Sequence, residues 1–452
     1  MALELPRDLE MGVATSAWQI EGDVAGRGTN IWDDFAARPG AIIDGATGEP
    51  ACRHVERLEE DLDLLAWLGV DAYRFSVSWS RVLPDGAGRV SAEGLGFYDR
   101  LVDGLLTRGI RPVLTLFHWD LPSAFEATGG WPARDTAHRF ADYAQIVGER
   151  LADRVDRWAT HNEPWCSAFL GYCAGYFAPG RTEPGASLAA AYHLMLSHGL
   201  AVERLRAAGA RNVGIVLNLI PVLADDPSMA AVAHHIDGLQ NRIFLDLLAG
   251  RGIPADLLES CRSVTDWSFV RPEDTDVMAA PIDWLGENYY TVMRVAPPGS
   301  ADVEAIGQDV SMFPASPPAS FAPRPPLTDM GWEVVPEGLG MALRMAADAL
   351  PGVPLWVCEN GAAVPEDAVG GRIDDPWRIE YLESHIGEVL RMRAAGLDVR
   401  GYYAWSLLDN LEWASGWTKR FGIVGVDPQT STRTPKESAH WYRDLLARRT
   451  SP

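Results

Sequence analysis

Short apolar runs rich in β-branched residues recur along the chain, each followed by a longer stretch with helical spacing of its apolar positions. The runs Met11–Thr15, Ala72–Ser78, Pro112–Phe117, Arg157–Thr160, Val213–Leu217, Trp284–Asn288, Leu355–Cys358 and Gly401–Trp405 predict eight buried strands. Between them, Glu59–Leu68, Ala92–Arg108, Asp135–Leu151, Leu188–Ala208, Ala230–Ala249, Glu337–Ala349 and Ile379–Ala395 predict helices. A closing helix runs from Pro435 to Arg448, with its proline in the first turn. Eight strands alternating with eight helices, without a linker break or an internal repeat, predict an α/β fold. The expectation is a single (β/α)8 barrel over residues 1–452, with extended βα loops. One proline-dense segment, Pro297 to Pro326, interrupts the alternation and is expected to be either a lid beside the mouth of the site or a spacer without a chemical role.

The polar residues sharpen this picture. His118, Asn162, Glu163, Asn288, Tyr290, Glu359 and Trp405 all fall at the carboxyl ends of predicted strands. In a barrel those ends converge on one face, where catalytic groups gather. Two of these residues are glutamates in short polar motifs, Thr160-His161-Asn162-Glu163-Pro164 and Val357-Cys358-Glu359-Asn360-Gly361. Two carboxyl groups facing one another across a sugar are what cleavage of a glycosidic bond needs. One must be neutral to protonate the leaving oxygen, and the other ionised. Desolvation at an apolar strand end raises a glutamate's pKa and suits Glu163 to the acid's part. Arg74, in Tyr73-Arg74-Phe75-Ser76, is expected to hold Glu359 ionised.

Composition narrows the partners. A formal net charge of −23 argues against nucleic acid and anionic membrane surfaces, and disfavours a phosphorylated substrate. No apolar run is long enough to span a bilayer, and Met1 to Gly12 lacks the pattern of a secretory signal. The five cysteines, Cys52, Cys166, Cys173, Cys261 and Cys358, are scattered without a C-x-x-C pair, which fits reduced thiols in the cytoplasm. The His234-His235 pair lacks a spaced acidic partner, so no metal site is expected. Nothing in the sequence fixes the oligomeric state.

The ordered motifs resemble those of glycoside hydrolase family one, the β-glucosidase family, especially its actinobacterial-type members. They include Ser16-Ala17-Trp18-Gln19-Ile20-Glu21-Gly22, Phe117-His118-Trp119-Asp120-Leu121-Pro122, Asn162-Glu163-Pro164-Trp165 and Asn288-Tyr289-Tyr290. Later come Glu359-Asn360-Gly361, the run from Trp405 to Trp413, and Arg420-Phe421-Gly422. The resemblance implies a retaining exo-β-glycosidase, with Glu163 as acid/base and Glu359 as nucleophile. It implies that Gln19, His118, Asn162, Tyr290, Trp332, Trp405, Glu412 and Trp413 bind substrate, supported by Arg74 and Asn288. The partner would be a small-molecule glycoside or short oligosaccharide, and no metal or organic cofactor is implied. Trp119 and Trp165 are expected to be packing residues. The same two glutamates would also serve a transglycosidase.

Several residues depart from the family's pattern. Cys358 and Glu287 precede catalytic-face residues, and strand alternation predicts that both face the helical layer. Trp18, Arg53, Val55, Phe177 and Trp417 also differ. Trp417 is expected to crowd the sugar's sixth carbon and Phe177 to make the entrance apolar, which would favour a modified or 6-deoxy sugar, or a hydrophobic glycoside.

Overall fold

All eight predicted strands are present in the computed structural model, which describes residues 3–300, 305–369 and 371–449. They are β1 (Glu10–Ala14), β2 (Ala72–Ser76), β3 (Arg111–Phe117), β4 (Arg157–Asn162), β5 (Val213–Leu217), β6 (Trp284–Asn288), β7 (Leu355–Asn360) and β8 (Val399–Trp405). Each pairs in parallel with the next, and β8 returns to β1 with Glu10 opposite Gly401, closing the barrel. Nearly every strand residue is buried because the barrel's interior is packed and helices cover its outside.

Inside, Ala14, Ala72, Val113, Ala159, Val216 and Trp284 form a small apolar core distinct from the large one beneath the helices. An ion pair plugs the amino-terminal end: Arg157 donates to Glu10 at 2.6 Å while its guanidinium lies 4.1 Å over the Trp356 ring. The opposite end is left open for polar residues.

The helices match the periodic stretches within a few residues, with two differences. The stretch Ala230–Ala249 is two α-helices, Ala230–Asp237 and Ile243–Leu248, joined through a π-helical turn, Gly238–Arg242. The closing helix is Glu437–Ala447, and Pro435 instead ends a short strand, Arg433–Pro435, antiparallel to Val424–Val426. Proline is tolerated at such an edge position, where its missing N–H costs no ladder bond. The proline-dense segment holds a 3₁₀ turn, Val310–Met312, and a strand, Ser320–Phe321, which joins Met293–Ala296 and Val222–Ala224 in a three-stranded sheet. Among the described residues, no helix is long and apolar enough to cross a membrane.

Candidate active site

Two β-bulges aim the catalytic-face residues. Along β4 the pairing with β5 passes from Ala159–Gly214 directly to Asn162–Val216. Thr160 and His161 both turn to the helical layer, where they meet His198 and Ser197 at 2.7 Å. Asn162 is thereby turned inward, and Glu163 follows with φ +44, a left-handed conformation uncommon for glutamate and typical of functional turns. Along β7, Val357 faces Glu287 and Glu359 faces Asn288, so one extra residue lies on β7. Cys358 therefore packs inside the barrel with Val113, Ala159 and Val216, and not against the helices as alternation predicts. Glu287, on an unbulged strand, does face outward, its Oε1 accepting from the Leu219 N–H at 3.1 Å. Only glycine fits at 361, because a Cβ there would stand 1.8 Å from the Trp405 carbonyl oxygen.

A chain of hydrogen bonds links the two glutamates. Asn288 Nδ2 donates to Glu163 Oε1 at 2.7 Å and to Asn162 Oδ1 at 2.9 Å, and Arg74 bridges that Asn162 oxygen to Glu359. Both carboxyl groups line the same cavity, and the Glu359 charge acts on Glu163. Their other partners differ in charge. Glu359 accepts from Arg74 at 2.6 Å and from the Tyr290 hydroxyl at 2.7 Å. Glu163 accepts from neutral groups only, Asn288 and the Cys166 thiol at 3.0 Å.

Those partners set the protonation. Burial and the neighbouring Glu359 charge push the Glu163 carboxyl up to about 8, so it holds a proton at neutral pH. Burial also raises Glu359, but Arg74, Tyr290 and Asn288 oppose it. Glu412, at the same cavity, is pushed up to about 8 by burial and by the other two glutamates. One buried guanidinium compensates one carboxylate, and its direct partner is Glu359. Burial, with Arg74 nearby, drives His118 well below the usual histidine range, so it faces the cavity neutral.

The site opens into a cavity at the carboxyl end of the barrel. Glu163, Glu359, His118, Asn288, Tyr290, Trp332, Trp405, Glu412 and Trp413 all line it. Arg74, Asn162 and Gln19 stand behind this wall. Asn162 Oδ1 accepts from Arg74 at 2.6 Å and Asn288 at 2.9 Å, and its Nδ2 meets His118 Nε2 at 3.1 Å. Gln19 Nε2 donates to Asn410 Oδ1 and the Leu411 carbonyl at 2.9 and 2.8 Å, bracing the segment before Glu412.

Other walls correct the sequence reading. Trp119 and Trp165 are not mere packing: both line the cavity, and Trp119 Nε1 donates to the Asn162 carbonyl at 3.0 Å. Phe177 lines it as expected, beside Trp119 and Trp32 at ring separations of 5.4 and 5.3 Å. Trp417 is not on the wall; it packs against the outer core, and its backbone N–H donates to Asp44 at 2.7 Å. Trp18 stacks on Trp413 at 5.7 Å and donates to Asp33. The proline-dense segment contributes Ile306, Gly307 and Gln308 to the lining, and Trp332 Nε1 ties it down through the Ile306 carbonyl at 2.6 Å. His234 and His235 lie apart from this cavity, His234 near Asp256 and His235 on the Pro314 carbonyl; among the described residues no group of metal-ligating side chains occurs. Cys166 was invisible as a site residue because nothing in its spacing distinguishes it from a packing cysteine.

A buried ion network holds the Glu412 loop in place. Lys436, fully buried, pairs with Glu366 and with Asp409 at 2.8 Å, and Asp409 also accepts from the Gly422 N–H. A Lys436→Met variant leaves buried Asp409 without its ion-pair partner, while Glu366 keeps Arg378, so it should lose about 3–5 kcal/mol. A urea unfolding midpoint equal to that of the wild type would contradict this.

Similarity to known proteins makes the family assignment. The sequence matches the profile of Glycosyl hydrolase family 1 over residues 1–451. It is 44% identical to the thermostable β-glucosidase B of Thermobispora bispora, over 99% of this chain and 91% of that one. It is 43% identical to a bifunctional β-D-glucosidase/β-D-fucosidase of Bifidobacterium breve, over 99% of each. The crystal structure of a psychrophilic β-glucosidase from Micrococcus antarcticus superposes with a TM-score of 0.94 at 45% identity, covering 99% of this chain and 98% of that one. A closed parallel barrel, two unlike glutamates at its carboxyl end and these matches along the whole sequence place the chain in glycosyl hydrolase family 1, whose members are retaining glycoside hydrolases.

Proposed function

We propose that this chain, as one catalytic domain, is a retaining, exo-acting β-glycosidase whose default substrate is a β-glucoside, either a small-molecule glycoside or a short oligosaccharide. The observation that carries this reading is the pair of carboxyl groups on one cavity, one held by Arg74 and the other by neutral partners. Glu359 attacks the anomeric carbon and forms an ester as the bond to the leaving oxygen breaks; Glu163 passes its proton to that oxygen. Glu163, now a carboxylate, takes a proton from water, whose oxygen attacks the same carbon and releases Glu359. This route needs the two carboxyl groups about 5–5.5 Å apart; the inverting one needs about 6.5–9.5 Å. Asn162 and Asn288 orient the pair, His118, Glu412 and Trp413 hold sugar hydroxyls, and Trp405 stacks beneath the ring with Trp332 on the leaving-group side. Gln19 acts from behind through the loop that carries Glu412. The five cysteines, all buried and free, favour the cytoplasm.

The walls favour an apolar leaving group. Leu170, Tyr176, Ile220, Met293 and Met330 line the cavity beside the catalytic pair. The same ester also accepts an alcohol, so transfer accompanies hydrolysis when one is supplied. With Trp417 away from the cavity lining, the argument from Trp417 for a 6-deoxy sugar loses its support. Rates on aryl β-glucoside, β-fucoside and β-xyloside test the glycone: glucoside should be cleaved at least as fast as fucoside and faster than xyloside. A clear preference for xyloside would contradict the assignment.

A further inference from the structure

Beside Glu163 stands a thiol that the reaction above does not use. Cys166 opens the π-helical turn Cys166–Leu170, and its backbone N–H returns to the Glu163 carbonyl at 3.0 Å. That turn brings Sγ to 3.0 Å from Glu163 Oε2, on the cavity wall. Asn218, just past the end of β5, directs its Nδ2 at the same sulfur from 3.6 Å. An amide donor aimed at the sulfur uses it as an acceptor, which leaves the thiol hydrogen free to point at Oε2. The thiol keeps that hydrogen: burial and the Glu163 charge push it well above the ordinary thiol range, so it is a donor and not a nucleophile.

We propose that Cys166, oriented by Asn218, is a positioning residue for Glu163, fixing Oε2 and stabilising the carboxylate that the second half of the reaction needs. The inference rests on Glu163 being the acid/base. Oε1 is occupied by Asn288, so the acid's proton sits on Oε2, the oxygen that faces the sulfur. Before substrate arrives, the sulfur is the proton's nearest acceptor. Once the proton has gone to the leaving oxygen, the S–H turns to the new carboxylate. A thiol can take either part, weakly enough not to hold the proton back. An aliphatic side chain there would leave Oε2 without a protein partner in both states.

Other charges bear on Glu163, and they stay constant when Cys166 changes. Glu359 on β7 raises its pKa and Arg74 on β2 lowers it. Glu287 on β6 lies close enough to interact with it and is itself pushed well above the carboxylate range by burial. Tyr290 and Glu412 are kept in their neutral forms partly by Glu163 itself, and His118 is neutral.

The test is the pH profile of kcat/KM on an aryl β-glucoside for wild type, Cys166→Ala, Cys166→Ser and Glu163→Gln. Losing a donor to the charged form raises a carboxyl pKa, so Cys166→Ala should move the alkaline limb up by roughly half a unit to one unit. It should also slow hydrolysis of the glycosyl-enzyme, lowering kcat roughly three- to tenfold with little change in KM. Serine restores the donor, and its limb should sit at or below the wild-type position. A Cys166→Ala limb that coincides with wild type, or alanine and serine limbs displaced alike, would overturn the proposal. Glu163→Gln separates the two levels. If that variant keeps the alkaline limb, the acid/base reading fails; if it loses the limb while Cys166→Ala does not move, only the role of Cys166 fails.

Discussion

A Glu359→Ala variant should lose on the order of 10⁴–10⁶ in kcat on any aryl β-glucoside, because it removes the group that makes the new bond. The loss should be partly recoverable. The variant leaves the Arg74 guanidinium buried at 1% exposure beside an emptied space. A small anion such as azide or formate fits there and restores the compensating charge. Azide attacking from that side displaces the leaving group once, so the product should be the α-glycosyl azide. The β-azide, or undiminished hydrolysis, would contradict the assignment of Glu359. Arg74 keeps its second acceptor, Asn162 Oδ1 at 2.6 Å, so the variant should still fold, with a lower thermal midpoint as a check.

Glu163→Gln should divide substrates by leaving group. Where the departing oxygen is a poor leaving group, protonation is essential, and the rate should fall about 10²–10⁴-fold. With a dinitrophenolate, which leaves without a proton, the first step should survive, the glycosyl-enzyme should accumulate, and a burst should appear. The pH dependence follows from the same residue. The Glu163 carboxyl is raised to about 8 in the folded protein. It is therefore protonated and competent as an acid below that pH, and competence is lost as pH rises through it. Wild-type kcat/KM should decline above about pH 8, a limb that Glu163→Gln lacks. An identical alkaline limb in both proteins would contradict the assignment.

The eight strands were legible because a strand buried on both sides is written as a continuous apolar run, and each such run was in the right place. The catalytic face was legible for the same reason, since a strand's last residue in a barrel reports a position on one rim. The bulges were not. A bulge inserts one residue without changing composition, so alternation sent Cys358 outward while the bulge before Glu359 turned it in. Glu287, on a regular strand, obeyed alternation. Trp119 and Trp165 read as packing because an indole buried in a core and one on a cavity wall have the same neighbours in sequence. Trp417 failed in the opposite sense: family position implied a wall, and the Asp44 contact holds it elsewhere. The Cys166 contact depends on a π-helical turn that no periodicity announces.

Retention at the anomeric carbon is what a double displacement through Glu359 requires, and proton NMR of the first-formed product reads it directly. Following an aryl β-glucoside through the first few turnovers, faster than the free sugar mutarotates, should show the β-anomer of glucose appearing first and the α-anomer growing in only by mutarotation. The α-anomer appearing first would mean a single displacement and would contradict the account.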